Sequence, residues 1–310
     1  MARESTRRLR SVALRILFPP LALVAGICSR RLAVRIGRVV GRLSWRKGGR
    51  DVDRATRHLD LALPERTPTE RSEIGRASFE SQGANLFECL RLLSRGANEV
   101  RALATLDGWE HVEAARARNQ PILILTGHCG NWELLAARLN AEGLGMAAIA
   151  AEIDEPVLHE ALLRLRRRFG TESIVRSQPG SARTMLKTLR DGGALGILID
   201  QDTKVDGVWV PFFGRLAYTP VGAAEIALRR NATVLPTFIE RLDDDRHHAT
   251  IRPPLELPED STAATAAMTR EIEAQINRRP EQWVWMHRRW RTRPPSEADE
   301  SNEASSAAPN

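Results

Sequence analysis

Between residues 121 and 199, four short apolar runs alternate with helical patterns. The runs are PILILT (121–126), MAAIA (146–150), SIV (173–175) and ALGILI (194–199). They read as strands buried on both faces, because none has the polar-apolar alternation of a half-wet strand. Residues 131–142, 155–169 and 181–190 carry helical patterns between them. Parallel neighbours need a crossover, and a helix is the usual one. The pattern therefore predicts an α/β fold with a largely parallel central sheet flanked by helices. Upstream, Thr67, Pro68 and Glu70 form a capping-box start to a long helix that Gly96 ends. Downstream, residues 232–240 and 248–251 read as a hairpin around Asp243–Asp245, and 262–279 as a last helix. The stretch between Ile199 and Thr219 reads as a loop of about 20 residues, long enough to suggest a functional role.

Charge divides the chain into three parts. Residues 1–50 hold thirteen Lys or Arg and one acid, and residues 294–310 hold four acids and no base. The body, 51–293, is close to neutral although the whole chain carries +7. A near-neutral body argues against a dedicated nucleic-acid-binding fold. Cys28, Cys89 and Cys129 are too few and too widely spaced for a disulfide framework or a cysteine-rich zinc site. Within 1–50, the apolar run from Ile16 to Cys28 is interrupted by Pro19 and Pro20 and flanked by arginines. A spanning helix needs about 20 apolar residues. Residues 1–50 are therefore expected to be an N-terminal helical membrane-anchoring region lying on anionic lipid, with a single span and a first helix of the core as the alternatives. Residues 51–293 are expected to form the main α/β domain, and 294–310 a disordered acidic tail.

The richest local pattern is GHCGNWE (127–133), set between the buried strand 121–126 and the helix 131–142. Sites in open α/β sheets gather at the carboxyl ends of strands, where His128 lies. Asn131 is a good N-cap, which puts Glu133 in the first helical turn. A carboxylate folding back onto the imidazole would fix one tautomer and leave His128 as a general base. The plainer reading is a cap, a dipole-favoured acid and a turn histidine. Asp200 and Asp202 follow the strand ALGILI as a DxD pattern, compatible with a metal-bound sugar nucleotide or with two turn-capping acids. Phe212 and Phe213 read as an apolar wall for a ligand or as core. Trp283, Trp285 and Trp290, interleaved with arginines, suit a membrane interface or the core.

HCGNWE matches the H-x-x-x-x-[D/E] signature of the lysophospholipid acyltransferase superfamily. In the form G-H-x-G-N-W-E it resembles the lipid A biosynthesis (lauroyl/myristoyl) acyltransferases, a branch that also holds the phosphatidylinositol mannoside acyltransferases. ILIDQD (197–202), the block 208–236 and PEQWVWMHRRWRTRP (280–294) extend the resemblance in the right order. HLDLALPE (58–65) departs from it, since the lipid A enzymes carry Asn-Leu and an aromatic before Pro-Glu there. The resemblance implies transfer of an acyl chain from a thioester, on acyl carrier protein or coenzyme A, to a hydroxyl of a membrane glycolipid. A lipid A precursor is the preferred acceptor, and a phosphatidylinositol mannoside or other lipid the runner-up. It implies His128 as general base and Glu133 as its orienter. It also implies Asn131, Arg176, Asp200 and Asp202 as substrate-binding candidates. No metal or cofactor is implied, and the work would be done on the cytoplasmic face of the inner membrane. A DxD glycosyltransferase and a non-enzymatic membrane-binding protein are the rivals from other classes.

Overall fold

The computed structural model describes residues 15–294 apart from Leu17 and Ala151. The first fourteen residues and the acidic tail after Pro294 lie outside the described residues. Three helices lead the fold: α1 (Arg30–Lys47), α2 (Arg50–Ala62) and α3 (Pro68–Leu92). The expected capping box opens α3: the Thr67 hydroxyl accepts from the Glu70 N–H, and the Glu70 carboxylate accepts from the Thr67 N–H at 2.7 Å. Residues 18–27 are also helical.

The sheet follows. After α4 (Ala97–Leu103) come β1 (Ala104–Asp107), α5 (Trp109–Ala117), β2 (Ile122–Thr126), α6 (Trp132–Ala141), β3 (Met146–Ala150) and α7 (Pro156–Arg168). Then come β4 (Glu172–Val175), α8 (Ser181–Arg190), β5 (Ala194–Leu198), β6 (Gly207–Phe212), β7 (Arg215–Pro220) and α9 (Gly222–Arg230). β8 (Thr233–Arg241), β9 (His247–Ile251) and α10 (Ser261–Arg278) complete the order. Seven strands form one sheet in the order β1-β9-β8-β2-β5-β3-β4. Every pairing is parallel except β8 with β9. The α/β expectation holds, and the antiparallel pair is the hairpin around Asp243–Asp245. β2 is buried at all five positions, as its unbroken apolar run required.

Two expectations are corrected. The stretch after Ile199 is not a plain loop, because β6 and β7 pair as an antiparallel hairpin. Its two-residue turn, Phe213 and Gly214, has φ of 52° and 69°, the double positive φ that matches strand twist. Residues 30–47, expected in the anchoring region, pack along α3 as a built-in helix. A Cβ on Gly37 would lie 2.3 Å from the Gly83 carbonyl oxygen, so only glycine permits this backbone approach. Among the described residues, no helix is long and apolar enough to cross a membrane. Of the two readings of the Trp-Arg segment, the core one holds for Trp283 and Trp285, which are fully buried in the main core. Phe212 is buried beside Trp283, with the Arg289 guanidinium stacked on its ring.

Candidate active site

The parallel register of β2 and β5 builds the site. Thr126 pairs with Leu198, and the next two residues of each strand's exit lead to His128 and Asp200. The two side chains therefore leave adjacent carboxyl ends at the same height. Asp200 Oδ1 accepts from the His128 ring Nδ1 at 2.7 Å, and Oδ2 accepts from the His128 backbone N–H at 2.8 Å. The Trp283 indole N–H also donates to Oδ2, at 2.8 Å. Burial opposes ionisation of Asp200. The neighbouring imidazole and these hydrogen bonds outweigh burial and hold the carboxyl well below the usual carboxylate range. An ionised Asp200 makes Nδ1 the protonated nitrogen and leaves Nε2 as the basic one.

The turn that carries His128 is fixed from several sides. Gly130 has φ of 57°, and a Cβ there would lie 2.1 Å from the Ile239 carbonyl oxygen. Its N–H donates to the Gln282 carbonyl, and its carbonyl accepts from Asn85 Nδ2 at 2.7 Å. Asn131 caps α6 as expected, its Oδ1 accepting from the Leu134 N–H. Its Nδ2 donates to Glu88 at 2.9 Å. Glu88 is buried with Arg241 and His247, whose nitrogens lie 2.9 and 2.8 Å from its carboxylate. Burial opposes its charge, but His247 and Arg241 prevail and keep it ionised. An ion pair buried on α3 and β8 thus supports the first turn of α6 through one asparagine.

Glu133 does not contact the imidazole. Its two oxygens accept from Arg166 Nε at 2.9 Å and Nη2 at 2.7 Å, a two-pronged pair that anchors α7 to α6. The expected orienting contact is therefore corrected: the partner of the His128 ring is Asp200. Five residues along the chain, Glu133 points along its own helical face, and the guanidinium waiting there takes both oxygens. Both residues nevertheless line the same hollow.

That hollow is a cavity of about 790 Å³ bordered by His128, Asn131, Glu133, Arg166, Arg176 and Gln201. Leucines of α7, with Ile197, Ile199 and Ile226, supply an apolar wall. Arg176 stands one residue past the β3–β4 pair Ala150–Val175, and burial lowers its affinity for the proton. Asp202 turns the other way. It accepts from the Thr292 N–H and hydroxyl and from Arg291, tying down the C-terminal segment outside the cavity. The two acids of the DxD pattern thus serve different partners. Phe212 and Phe213 do not border the cavity. Among the described residues, no group of three or more His, Cys, Asp or Glu is placed to hold a metal ion.

Sequence reasoning missed two residues. The Gln201 amide donates to His128 Nε2 at 2.9 Å and also reaches His287. The burial of His287, reinforced by the neighbouring imidazole, pushes its pKa down to about 3, so it stays neutral. Gln201 lay between two noted aspartates, and His287 within the noted Trp-Arg segment, but nothing local marks either.

The profile of the family described as "Bacterial lipid A biosynthesis acyltransferase" matches residues 8–292. The lipid A biosynthesis acyltransferase 2 of Shigella flexneri is 29% identical over 271 residues, covering 86% of this chain and 84% of that one. The lipid A biosynthesis myristoyltransferase of Escherichia coli K12 is 28% identical over 271 residues, covering 86% and 82%. The phosphatidylinositol mannoside acyltransferase of Mycobacterium tuberculosis is 26% identical over 223 residues, covering 69% of each.

Proposed function

The chain belongs to the bacterial lipid A biosynthesis acyltransferase family and is an acyltransferase, and on that footing we propose that it moves an acyl chain from a thioester to a hydroxyl of a lipid A precursor. The observation that carries the reading is the Asp200–His128 pair opening onto an apolar cavity. Asp200 holds Nδ1–H, so Nε2 takes the proton of the attacking hydroxyl as it adds to the thioester carbonyl. The Gln201 amide occupies that lone pair at rest and yields it when the hydroxyl arrives. The tetrahedral oxyanion collapses with loss of the thiolate, which the imidazolium reprotonates. The donor is carried on acyl carrier protein or coenzyme A, and the apolar wall houses its chain. Arg176 borders that cavity, where a forked cation suits a phosphate of either substrate. Glu133 acts here through Arg166 rather than through His128, keeping α6 and α7 in register around the cavity.

The membrane reading rests on the N-terminal helices. Ile16, Leu23, Val24, Ile27, Val39 and Leu43 are all exposed large apolar residues on a strongly basic stretch. Such a surface suits burial among headgroups at an anionic bilayer, here the cytoplasmic side of the inner membrane. The direct test is incubation of purified protein with a lipid A precursor and either acyl thioester, followed by lipid mass spectrometry. A mass gain of one acyl chain on the precursor is expected. No gain with either donor, in the presence of bilayer or detergent, would dismiss the reading.

A further inference from the structure

A second hollow, of about 500 Å³, lies between α2, the β6–β7 turn and the C-terminal segment. Six arginines line it: Arg54, Arg57, Arg215, Arg288, Arg291 and Arg293. Half of its lining is arginine, against fewer than one residue in seven of the whole chain. Among the described residues, no Asp or Glu borders it. Arg54 pairs with Asp51, and Arg291 with Asp202. The other four have no carboxylate within ion-pair distance among the described residues, and all four are exposed. Water and salt screen these exposed guanidinium groups from one another, but a phosphate seated in the concavity would meet several of them at once.

The position is as informative as the charge. His287 borders the acyl-transfer cavity, and the next residue, Arg288, borders the arginine hollow. The C-terminal segment, residues 287–294, therefore passes from the lining of one hollow into the lining of the other and forms a partition beside both. Asp202 holds this partition in place through Thr292 and Arg291. Trp290 packs on His58 from α2, which fixes the far wall.

We infer that the arginine hollow is a binding site for a small polyanion bearing at least two phosphate groups, distinct from the acyl-transfer cavity and set directly behind it. Guanidinium forks match phosphate oxygens two at a time, and groups on opposite walls engage separate phosphates. A concavity of this volume suits a headgroup rather than a flat lipid surface. The site rests on the acyl-transfer reading only for the origin of its ligand. A phosphorylated sugar headgroup of the acceptor and the nucleotide phosphates of a coenzyme A donor share the required chemistry.

The test is calorimetric titration of the full chain with inorganic pyrophosphate at constant ionic strength, and needs no catalysis. Saturable binding is expected. It should weaken on the order of tenfold or more in Arg57→Gln with Arg288→Gln, which removes charged hydrogen bonds from two sides of the hollow. Arg183→Gln with Arg230→Gln, exposed and outside the hollow, should leave it unchanged. Competition by a phosphorylated glucosamine disaccharide assigns the acceptor as source, and competition by adenosine 3′,5′-bisphosphate assigns the donor; either supports the site. Three results would overturn it. The first is equal binding by the Arg57/Arg288 variant. The second is binding to anionic vesicles with none to pyrophosphate. The third is binding that emerges only after Glu297, Asp299, Glu300 and Glu303 are changed to amides, which would make the chain's own tail the occupant.

Discussion

Asp200 grips His128 at two points, one carboxylate oxygen on the ring Nδ1 at 2.7 Å and the other on the backbone N–H at 2.8 Å. Ring tautomer and turn conformation are thereby set by one side chain. Asp200→Asn keeps the shape but loses the charge, and an amide presenting its NH₂ to Nδ1 favours the wrong tautomer. Turnover should fall by about 10²- to 10⁴-fold with the fold intact. Steady-state kinetics, with circular dichroism as the folding control, is the check.

This pair explains what the sequence conceals. The turn at His128 and the cap at Asn131 are legible because both depend on neighbours within a few residues. The His128–Asp200 contact depends on which strand lies beside β2, a choice made 72 residues away. Glu133 has the right spacing to attract suspicion, yet its partner Arg166 comes from the next helix. The Trp-Arg segment carries a surface-like composition, but Trp283 and Trp285 are core residues because the chain returns under α3 there. The 200–220 stretch hides its hairpin because Phe213, not the usual Asn or Asp, precedes Gly214 in the turn.

The Glu133–Arg166 pair is nearly buried on both sides. Removing one partner strands the other charge, so Arg166→Met should destabilise the protein by about 3–5 kcal/mol. Arg166→Met with Glu133→Gln should recover a substantial part of that loss. Urea denaturation of the wild type, each single variant and the double measures both effects, and additive losses would mean the pair is not coupled.

Burial holds His58 in its neutral form and pushes its pKa down to about 4. The unfolded chain binds the proton nearer pH 6.5. Between those values the unfolded state carries the extra proton, so stability falls as pH falls from about 6.5 towards 4. His287 acts in the same direction, with its window reaching down to about 3. Urea midpoints should therefore decline from pH 7 to pH 5, and His58→Gln should flatten part of that slope. An unchanged slope would remove His58 from the account.

Leu23 and Ile27 are 67% and 75% exposed on the leading helix. If that surface enters the bilayer, Leu23→Asp with Ile27→Asp should weaken partitioning onto anionic vesicles on the order of a hundredfold or more. High salt should weaken binding of the unaltered chain by screening its arginines, while leaving the apolar contribution. Vesicle sedimentation at low and high salt reads both effects.

The rate of acyl transfer by His128→Ala tests the central claim most directly. Purified wild-type and variant proteins would be given the same acyl thioester and lipid A precursor, with acylated product counted by mass spectrometry. The account predicts a folded variant slowed by about 10²- to 10⁴-fold, as expected for loss of a general base. A folded variant that turns over at close to the wild-type rate would contradict it.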